Sequence, residues 1–192
     1  AIGDRAARHV LDAFERTDAV SRREVRPRLE HAQMLTEADC ARLDDLSTIA
    51  SIQPIHLRSD ATWAAQRLHE PQLDRLFPWR ALSEHAVLAA GSDFPIEDPN
   101  PWHGIATALS RRDADGRTFR GEKTFSREEI LAAYTTGAAH AAHWEDDLGR
   151  LGLGYRADII TLDRDPLRAS PASLWDTEVE SMWIDGESIE LD

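Results

Sequence analysis

The chain has 192 residues, 42% of them hydrophobic, which predicts a packed globular domain and excludes a disordered chain. Its 35 acidic side chains outnumber 22 basic ones, a net charge of -13 that argues against nucleic acid or an anionic membrane surface as partner. No apolar run approaches the roughly 18 residues of a membrane-spanning helix, and the single cysteine, Cys40, excludes an internal disulfide and fits a reducing compartment such as the cytoplasm.

Alternating helices and strands are predicted for the first part of the chain. Apolar residues at helical spacing predict an amphipathic helix over residues 4–18. Extended segments follow at 25–33, "VRPRLEHAQ", and 48–56, "TIASIQPIH", with a helix between them that Thr36 is expected to cap. A strand, helix, strand order of this kind is typical of right-handed crossover units on a parallel sheet.

A third strand is predicted further along the chain. Residues 61–86 are expected to form two short helices broken at Pro71 and Pro78, because proline interrupts a helix. The segment "AVLAAGSD" at 86–93 is nearly continuous in apolar residues, as is typical of a parallel strand covered on both faces. A helix is expected from about Trp102 to Arg111, and the polar stretch "RDADGRTFRGEKT" at 112–124 that follows it is interpreted as an exposed insertion.

In the last part of the chain, the spacing of apolar residues changes from a helical to a strand-like period. Ser126 and Glu129 have the spacing of a capping box, which predicts the start of a helix. Short strands with turns follow, and the Asp-Gly pair within "VESMWIDGESIE" is a hairpin signal. We therefore expect an α/β region over residues 1–147 and a small β unit over 148–192.

Three polar side chains lie at or just past the C-terminal ends of successive predicted strands: His31, His56 and Asp93. Active sites of parallel α/β proteins assemble at that end of the strands. Two imidazoles and a carboxylate also suit zinc or another first-row divalent metal. An unpaired carboxylate after an apolar run is costly, so Asp93 is expected to meet a cation or hydrogen-bond donors. The alternatives are a turn-capping role for Asp93 and packing roles for the two histidines.

Several short motifs occur together in one order along the chain. They are "AIGDRA" at 1–6, "RLEHAQ" at 28–33, "SIQPIHLRSD" at 51–60, "AAGSDFPIEDPNPWHGI" at 89–105 and "LGRLGLGYRADIITLDRDPL" at 148–167. This order resembles the C-terminal part of metal-dependent amidohydrolases of amidohydrolase family 3, the branch of YtcJ-like hydrolases and N-substituted formamide deformylases. The resemblance covers nearly the whole chain except the loop around 111–123.

The resemblance implies an α/β fold that is the C-terminal portion of a (β/α)8 TIM-type barrel, with strands of a small composite β-sandwich. It implies that His31 is a metal ligand at the end of the sixth barrel strand. Asp93, at the end of the eighth, would contact the metal, take a proton from the activated water and pass it to the leaving amine. His56 matches the seventh strand, where a substrate contact is expected. The implied cofactor is a divalent metal, zinc or else iron or manganese.

The sequence also departs from the family pattern. The family has a His-x-His pair on the first barrel strand, a carboxylate or carbamylated lysine on the fourth, and a histidine directly before "AIGD". This sequence has no His-x-His, and its only lysine, Lys123, follows the eighth strand. The chain also begins at Ala1, which we interpret as a start partway through a larger protein. Since two ligands would hold a catalytic metal poorly, we expect this chain alone to be inactive and to need the N-terminal half of the same protein.

The function predicted for the parent protein is hydrolysis of a non-peptide C-N bond in a small amide-type substrate. One alternative is a catalytically silent module, used for assembly or left by truncation. Another is a metal-dependent esterase or lactonase, because activated water attacks esters as well as amides. The unpaired edge strands of a partial barrel further predict self-association, so a homo-oligomer is expected.

Overall fold

The computed structural model describes residues 1–191, so the last position of the predicted β unit, residue 192, lies outside the described residues. The strands are β1 (Arg28–Glu30), β2 (Ile49–Ile52), β3 (Leu88–Ala90), β4 (Ile159–Leu162), β5 (Val179–Ile184) and β6 (Glu187–Ile189). The helices are α1 (Asp4–Glu15), α2 (Ala19–Val25), α3 (Glu37–Asp45), α4 (His56–Ala64), α5 (Glu70–Leu73), α6 (Trp79–His85), α7 (Pro101–Ser110), α8 (Arg127–Tyr134), α9 (Thr136–Ala141) and α10 (Pro171–Leu174), with a 3₁₀ helix at Gly121–Lys123. The fold class is α/β. Within residues 1–191, no helix has both the length and the apolar character needed to cross a membrane.

The first three strands form a parallel sheet in the order β1-β2-β3. Glu30 of β1 lies opposite Ser51 of β2, and Ile52 of β2 lies opposite Ala90 of β3. Helical crossovers connect the strands, as parallel pairing requires: α3 between the first two, and α4 to α6 between the second and third. Because all three strands run the same way, their C-terminal ends lie at one edge of the sheet, called here the C-terminal edge.

Helices cover this sheet and close the core. Helices α8 and α9 contact β3, and α3 packs against both α1 and α6. The contacts bury side chains completely on several elements, including Leu11 of α1, Leu43 of α3 and Leu82 of α6. Removing one such leucine from water contributes about 1.5–3 kcal/mol, so these helix contacts hold the strands in place.

Two helix starts match the sequence predictions. The Thr36 side chain accepts a hydrogen bond from the Asp39 backbone N–H at the start of α3. At the start of α8, Ser126 and Glu129 form the reciprocal bonds of a capping box. Both capping predictions are confirmed, and each such cap satisfies backbone donors that the first helical turn would otherwise leave unpaired.

The region between β2 and β3 differs from the prediction of two short helices. It contains three helices, and the first, α4, begins already at His56. Pro71 does not break a helix, because it lies in the first turn of α5, where the missing N–H has no helical partner to lose. Pro78 does precede a helix, since it caps the start of α6. Proline as a start rather than a break explains the additional helix.

The polar stretch after α7 is not simply an exposed insertion, because Arg111 and Asp113 at its start are buried. Arg111 has an exposed fraction of 0%, and its guanidinium lies 4.4 Å from the centroid of the Trp79 ring. Its Nε donates to the Phe119 carbonyl at 2.8 Å, and Nη1 donates to the Lys123 carbonyl at 3.2 Å. Burial lowers the pKa of Arg111 to about 10. The loop is therefore tied to the core by one buried cation, while its tip stays exposed.

The C-terminal strands form a second, antiparallel sheet in the order β4-β5-β6. Asp185 and Gly186 both have positive φ, 53° and 83°, and join β5 to β6, so the hairpin prediction is confirmed. Apolar side chains on this sheet remain partly exposed; Ile160 and Ile184 have exposed fractions of 43% and 52%. This sheet therefore buries little of its apolar surface against the described part of the chain.

Candidate functional site

The C-terminal edge of the parallel sheet carries the three side chains singled out in the sequence. His31 directly follows β1, and His56 follows β2 as the first residue of α4. Asp93 follows β3 after a short Gly-Ser segment. Their common edge follows from the parallel pairing of β1, β2 and β3, since the carboxyl ends of parallel strands lie side by side.

The structure brings the two histidines together. Their rings stack with centroids 5.9 Å apart and an angle of 23° between planes. The Nδ1 atom of His31 and the Nε2 atom of His56 are both buried, and neither has a hydrogen-bond partner within residues 1–191. Buried polar atoms normally have a partner, because leaving one unpaired is costly. These two nitrogens therefore lack the partners that a purely packing role would give them.

Asp93 differs from its sequence-based expectation in one respect. Its residue is exposed, so the apolar run before it does not lead into a buried carboxylate. Its backbone carbonyl accepts a hydrogen bond from Ile96 N at 2.8 Å, which folds the following segment into a turn. Because the residue is exposed, its carboxylate remains accessible to a cation or a proton.

The backbone at this edge is strained. His31 has φ 68°, Ala32 has φ 41°, and Asp93 has φ 61°. Residues other than glycine rarely adopt this left-handed region, and each instance costs of the order of 1–3 kcal/mol. Such conformations concentrate at functional sites, because they aim a side chain in a direction that a regular strand does not allow.

A hydrogen-bonded network beside the two histidines was missed in the sequence. Gln33 Nε2 donates to Asp60 Oδ2 at 2.6 Å, and Trp63 Nε1 donates to Asp60 Oδ1 at 2.9 Å. The signal lies in the spacing of His56, Asp60 and Trp63, which recur at helical positions i, i+4 and i+7 and therefore share one face of α4. Nothing in the sequence pairs that face with Gln33, because this contact joins the loop after β1 to helix α4.

Support for the Asp93 turn comes from behind the sheet. The Tyr134 hydroxyl lies 3.5 Å from the Gly91 carbonyl oxygen, directly after β3. Burial raises the pKa of Tyr134 well above its ordinary value, so the hydroxyl remains a donor at any physiological pH. Tyr134 therefore ties helix α8 to the end of the strand that carries Asp93.

The donor set at the C-terminal edge suits a divalent metal but is incomplete. Imidazole nitrogens and a carboxylate oxygen are the ligands that zinc and similar ions take in proteins, and the unpaired Nδ1 of His31 agrees with such a role. In the part of the chain that the structure describes, no group of three or more His, Cys, Asp or Glu side chains is arranged to hold a metal ion. A catalytic zinc takes three protein ligands, so a metal here requires at least one further ligand.

The site is an open edge rather than an enclosed pocket. A cavity of about 530 Å³ lies between α7 and α10, and one of about 890 Å³ lies between α3 and α6. Neither is lined by His31, His56 or Asp93. The chemistry-bearing side chains therefore lie apart from both concavities.

Comparison with known proteins gives matches along nearly the whole chain. A sequence profile of the amidohydrolase family matches residues 1–189. The chain is 32% identical to the amidohydrolase-type protein YtcJ of Bacillus subtilis over 98% of its length, covering 36% of that protein. It is 27% identical to the N-substituted formamide deformylase of Arthrobacter pascens over 96% of its length, covering 34% of that protein. The chain thus spans about a third of the length of these curated relatives.

Solved structures agree with the sequence matches. A metal-dependent hydrolase from Pyrococcus horikoshii OT3 superimposes with a TM-score of 0.77 at 29% identity, over 90% of this chain and 34% of that one. A metal-dependent hydrolase from Pyrococcus furiosus gives 0.74 at 36% identity, over 88% and 33% of the two chains.

Proposed function

The chain belongs to the amidohydrolase family, and from that premise we propose that its parent protein is a metal-dependent hydrolase of a non-peptide C-N bond in a small amide-type substrate. The observation that carries the proposal is the pair of buried, unpartnered nitrogens of His31 and His56 on the edge where Asp93 also lies. The two Pyrococcus neighbours, described as metal-dependent hydrolases, support the metal requirement.

In this proposal His31 and Asp93 hold a divalent metal, for which zinc is the first candidate and iron or manganese the alternatives. When bound, such a metal makes water nucleophilic at neutral pH and polarises the carbonyl under attack. The exposed Asp93 carboxylate accepts the proton that the water loses and delivers it to the leaving amine. Asp93 is suited to this transfer because the residue is exposed at the C-terminal edge, where water and substrate can reach the carboxylate.

His56 is proposed as a substrate contact. Its Nε2 is buried without a partner in the described chain, and the ring stacks on His31 beside the proposed metal position. A neutral imidazole can donate to or accept from a substrate amide, depending on its tautomer. His56 would therefore orient the scissile group relative to His31.

The three-stranded sheet is proposed to be the C-terminal portion of a (β/α)8 barrel, over residues 1–147. Strands β1 and β3 are its edges in the described chain, and parallel edges of this kind normally pair with further strands. The partly exposed antiparallel sheet, over residues 148–191, would contribute to a composite β-sandwich. The N-terminal half of the same protein is the proposed partner for both, and self-association into a homo-oligomer is the expected result where that half is missing.

One observation favours a second candidate function, a catalytically silent module. The described residues offer too few ligands for a catalytic metal, so this chain on its own is expected to be inactive.

The cytoplasm, suggested by the single cysteine, is the proposed location.

The test uses the purified full-length protein that contains this sequence. Metal content is measured by mass spectrometry, and hydrolysis is measured on amides and esters with the same acyl group. About stoichiometric divalent metal and turnover of the amide support the proposal, whereas turnover of the ester alone identifies an esterase or lactonase. A protein with neither bound metal nor activity supports the silent module.

A further inference from the structure

We propose that Trp63 is a specificity-determining residue of this site, held by Asp60, and that it takes a planar apolar group of the substrate, such as an aromatic substituent on the amide. The proposal deepens the hydrolase function proposed above and rests on it. It adds a binding surface for the part of the substrate that does not react.

Helix α4 has two stripes of side chains, offset by one residue. Leu57, Ala61 and Ala64 form the first, and their exposed fractions are 0%, 2% and 1%. His56, Asp60 and Trp63 form the second, with the same i, i+4, i+7 spacing. The first stripe fixes the helix against the core, so the orientation of the second stripe is also fixed.

The second stripe faces the loop that follows β1. His31 stacks on His56 at one point of this contact, and Gln33 donates to Asp60 at the next. The same Asp60 carboxylate accepts the Trp63 indole N–H at 2.9 Å through its other oxygen. Asp60 therefore links the histidine pair's loop to the indole, and we assign it as a positioning residue.

Trp63 is held in place yet exposed. Its exposed fraction is 44%, compared with 2% for Trp79, a tryptophan of the core. The Arg67 guanidinium lies 5.3 Å from the Trp63 ring centroid, and Arg67 Nη1 donates to the Trp63 carbonyl at 3.3 Å. A surface indole fixed through its N–H and its ring presents apolar area at little further cost in conformational entropy.

The indole lies within reach of the proposed reaction site. His56 and Trp63 are separated by about 10 Å along the helix axis at 1.5 Å per residue. Helical side chains lean toward the helix N-terminus, and the bond to Asp60 agrees with this direction. The indole therefore covers the turn between Trp63 and Asp60, about one helical turn from His56. An amide held at His56 would place a ring-sized substituent against it.

The experiment measures kinetics of the full-length, metal-loaded protein on two amides with the same acyl group, one N-benzyl and one N-methyl. Trp63→Ala is expected to raise KM for the N-benzyl amide roughly tenfold, with kcat and the N-methyl KM within about twofold, as suits the loss of one aromatic contact. Trp63→Phe keeps an aromatic face and should retain most of the N-benzyl affinity. Equal changes on both substrates, or none on the N-benzyl amide, overturn the proposal.

The Asp60 variants test positioning separately from folding. Asp60→Leu removes the acceptor and should reproduce the KM increase for the N-benzyl amide. Asp60→Asn keeps an acceptor for the indole N–H and should give a KM close to that of the wild-type protein. If the wild-type protein hydrolyses neither amide, the hydrolase proposal fails, and equilibrium dialysis of the N-benzyl amide decides the role of Trp63. Binding that is lost in Trp63→Ala supports that role, while equal or absent binding overturns it.

Discussion

The imidazole rings of His31 and His56 stack 5.9 Å apart across neighbouring strands of the parallel sheet. Each ring keeps one buried nitrogen without a partner inside residues 1–191. Packing alone does not explain this arrangement, because a core histidine normally satisfies its buried nitrogens with backbone or side-chain groups. We therefore interpret the pair as part of a binding site. Substitution of His31 is expected to change metal affinity, and substitution of His56 is expected to change KM.

Replacement of each histidine separates metal binding from substrate binding. His31→Ala in the full-length protein should weaken metal affinity at least about tenfold, since even changes behind a ligand cost 10-fold to 100-fold. His56→Ala should leave metal content unchanged and raise KM for the amide. Metal analysis after dialysis and steady-state kinetics check both. Normal metal content in His31→Ala would contradict its role as a ligand.

Replacement of Asp93 tests the proton transfer. Asp93→Asn should lower kcat by roughly 10²–10⁴-fold, the usual contribution of a positioned acid-base group, because the asparagine side chain cannot accept the proton from water. Glu97→Gln, four residues along the same loop, is the matched control and should retain wild-type kcat. Unchanged turnover in Asp93→Asn would remove Asp93 from the mechanism.

Substitution of Arg111 tests the buried cation that anchors the 111–123 loop. Arg111→Ala removes its bonds to the Phe119 and Lys123 carbonyls and its contact with Trp79. The free energy of unfolding should fall by roughly 3 kcal/mol, because buried carbonyls lose charged donors and a cavity opens. The neighbouring Arg112 is exposed, and Arg112→Ala should change stability by less than about 0.5 kcal/mol. Urea unfolding of the full-length protein gives both values, and similar losses would contradict the anchoring role.

Acid sensitivity is expected from Asp39, whose side chain is 2% exposed and paired with Arg8 at 2.7 Å. Burial by itself would raise the pKa of Asp39, but hydrogen bonds from Arg8, Thr36 and Arg42 outweigh it and lower the pKa below its ordinary value of 3.8. Since the folded-state pKa is depressed, its stabilising contribution is complete above pH 3.8 and is lost as pH falls through the folded-state value.

The comparison of Asp39→Asn with wild type measures that contribution. Asp39→Asn should reduce the free energy of unfolding at neutral pH, and the difference should shrink as pH falls below 3.8. Asp44→Asn, on the exposed side of the same helix, is the control for the removal of one carboxylate charge. A difference that is independent of pH would exclude Asp39 as the titrating group.

Close packing of α9 on β3 predicts a strong effect at Gly137. A Cβ atom built there would fall far inside van der Waals contact of the Leu88 carbonyl oxygen, which is backbone and cannot rotate away. Gly137→Ala should destabilise the protein by about 1–3 kcal/mol or more through overpacking. Gly3→Ala meets nothing within 4 Å and serves as the control. Thermal unfolding of both variants is the measurement, and equal transition temperatures would contradict the packing.

Local signals in the sequence were sufficient for several elements. The caps at Thr36 and Ser126 and the hairpin at Asp185 depend on residues within one or two turns of each other, so short patterns specify them. Helix α2 was missed, although Asp18 accepts bonds from Val20 N and Ser21 N at its start. This helix buries none of its residues, so it leaves no apolar period to detect.

Long-range contacts account for what could not be predicted. In the sequence, Arg111 stands directly before a polar stretch and gives no sign of burial. Only the tertiary contact with Trp79 makes it a core residue. Likewise, the positions of His31 and Asp93 at strand ends were predictable, whereas the Gln33 to Asp60 bond depends on how the loop after β1 packs against helix α4. The strand-end residues indicated a divalent metal, whereas the hydrolysis of a C-N bond came from the family resemblance.

The left-handed backbone at His31 and Asp93 shows that the C-terminal edge carries residues that lower the stability of the fold but are required for the proposed chemistry. If conformational preference alone decided, glycine would occupy both positions, because it adopts positive φ without steric cost. Glycine carries no imidazole or carboxylate, so two residues with an unfavourable backbone conformation occupy the C-terminal edge. The remainder of the fold supplies the stability that they cost. Variants selected only for heat resistance should therefore tend to lose reactivity at these two positions first.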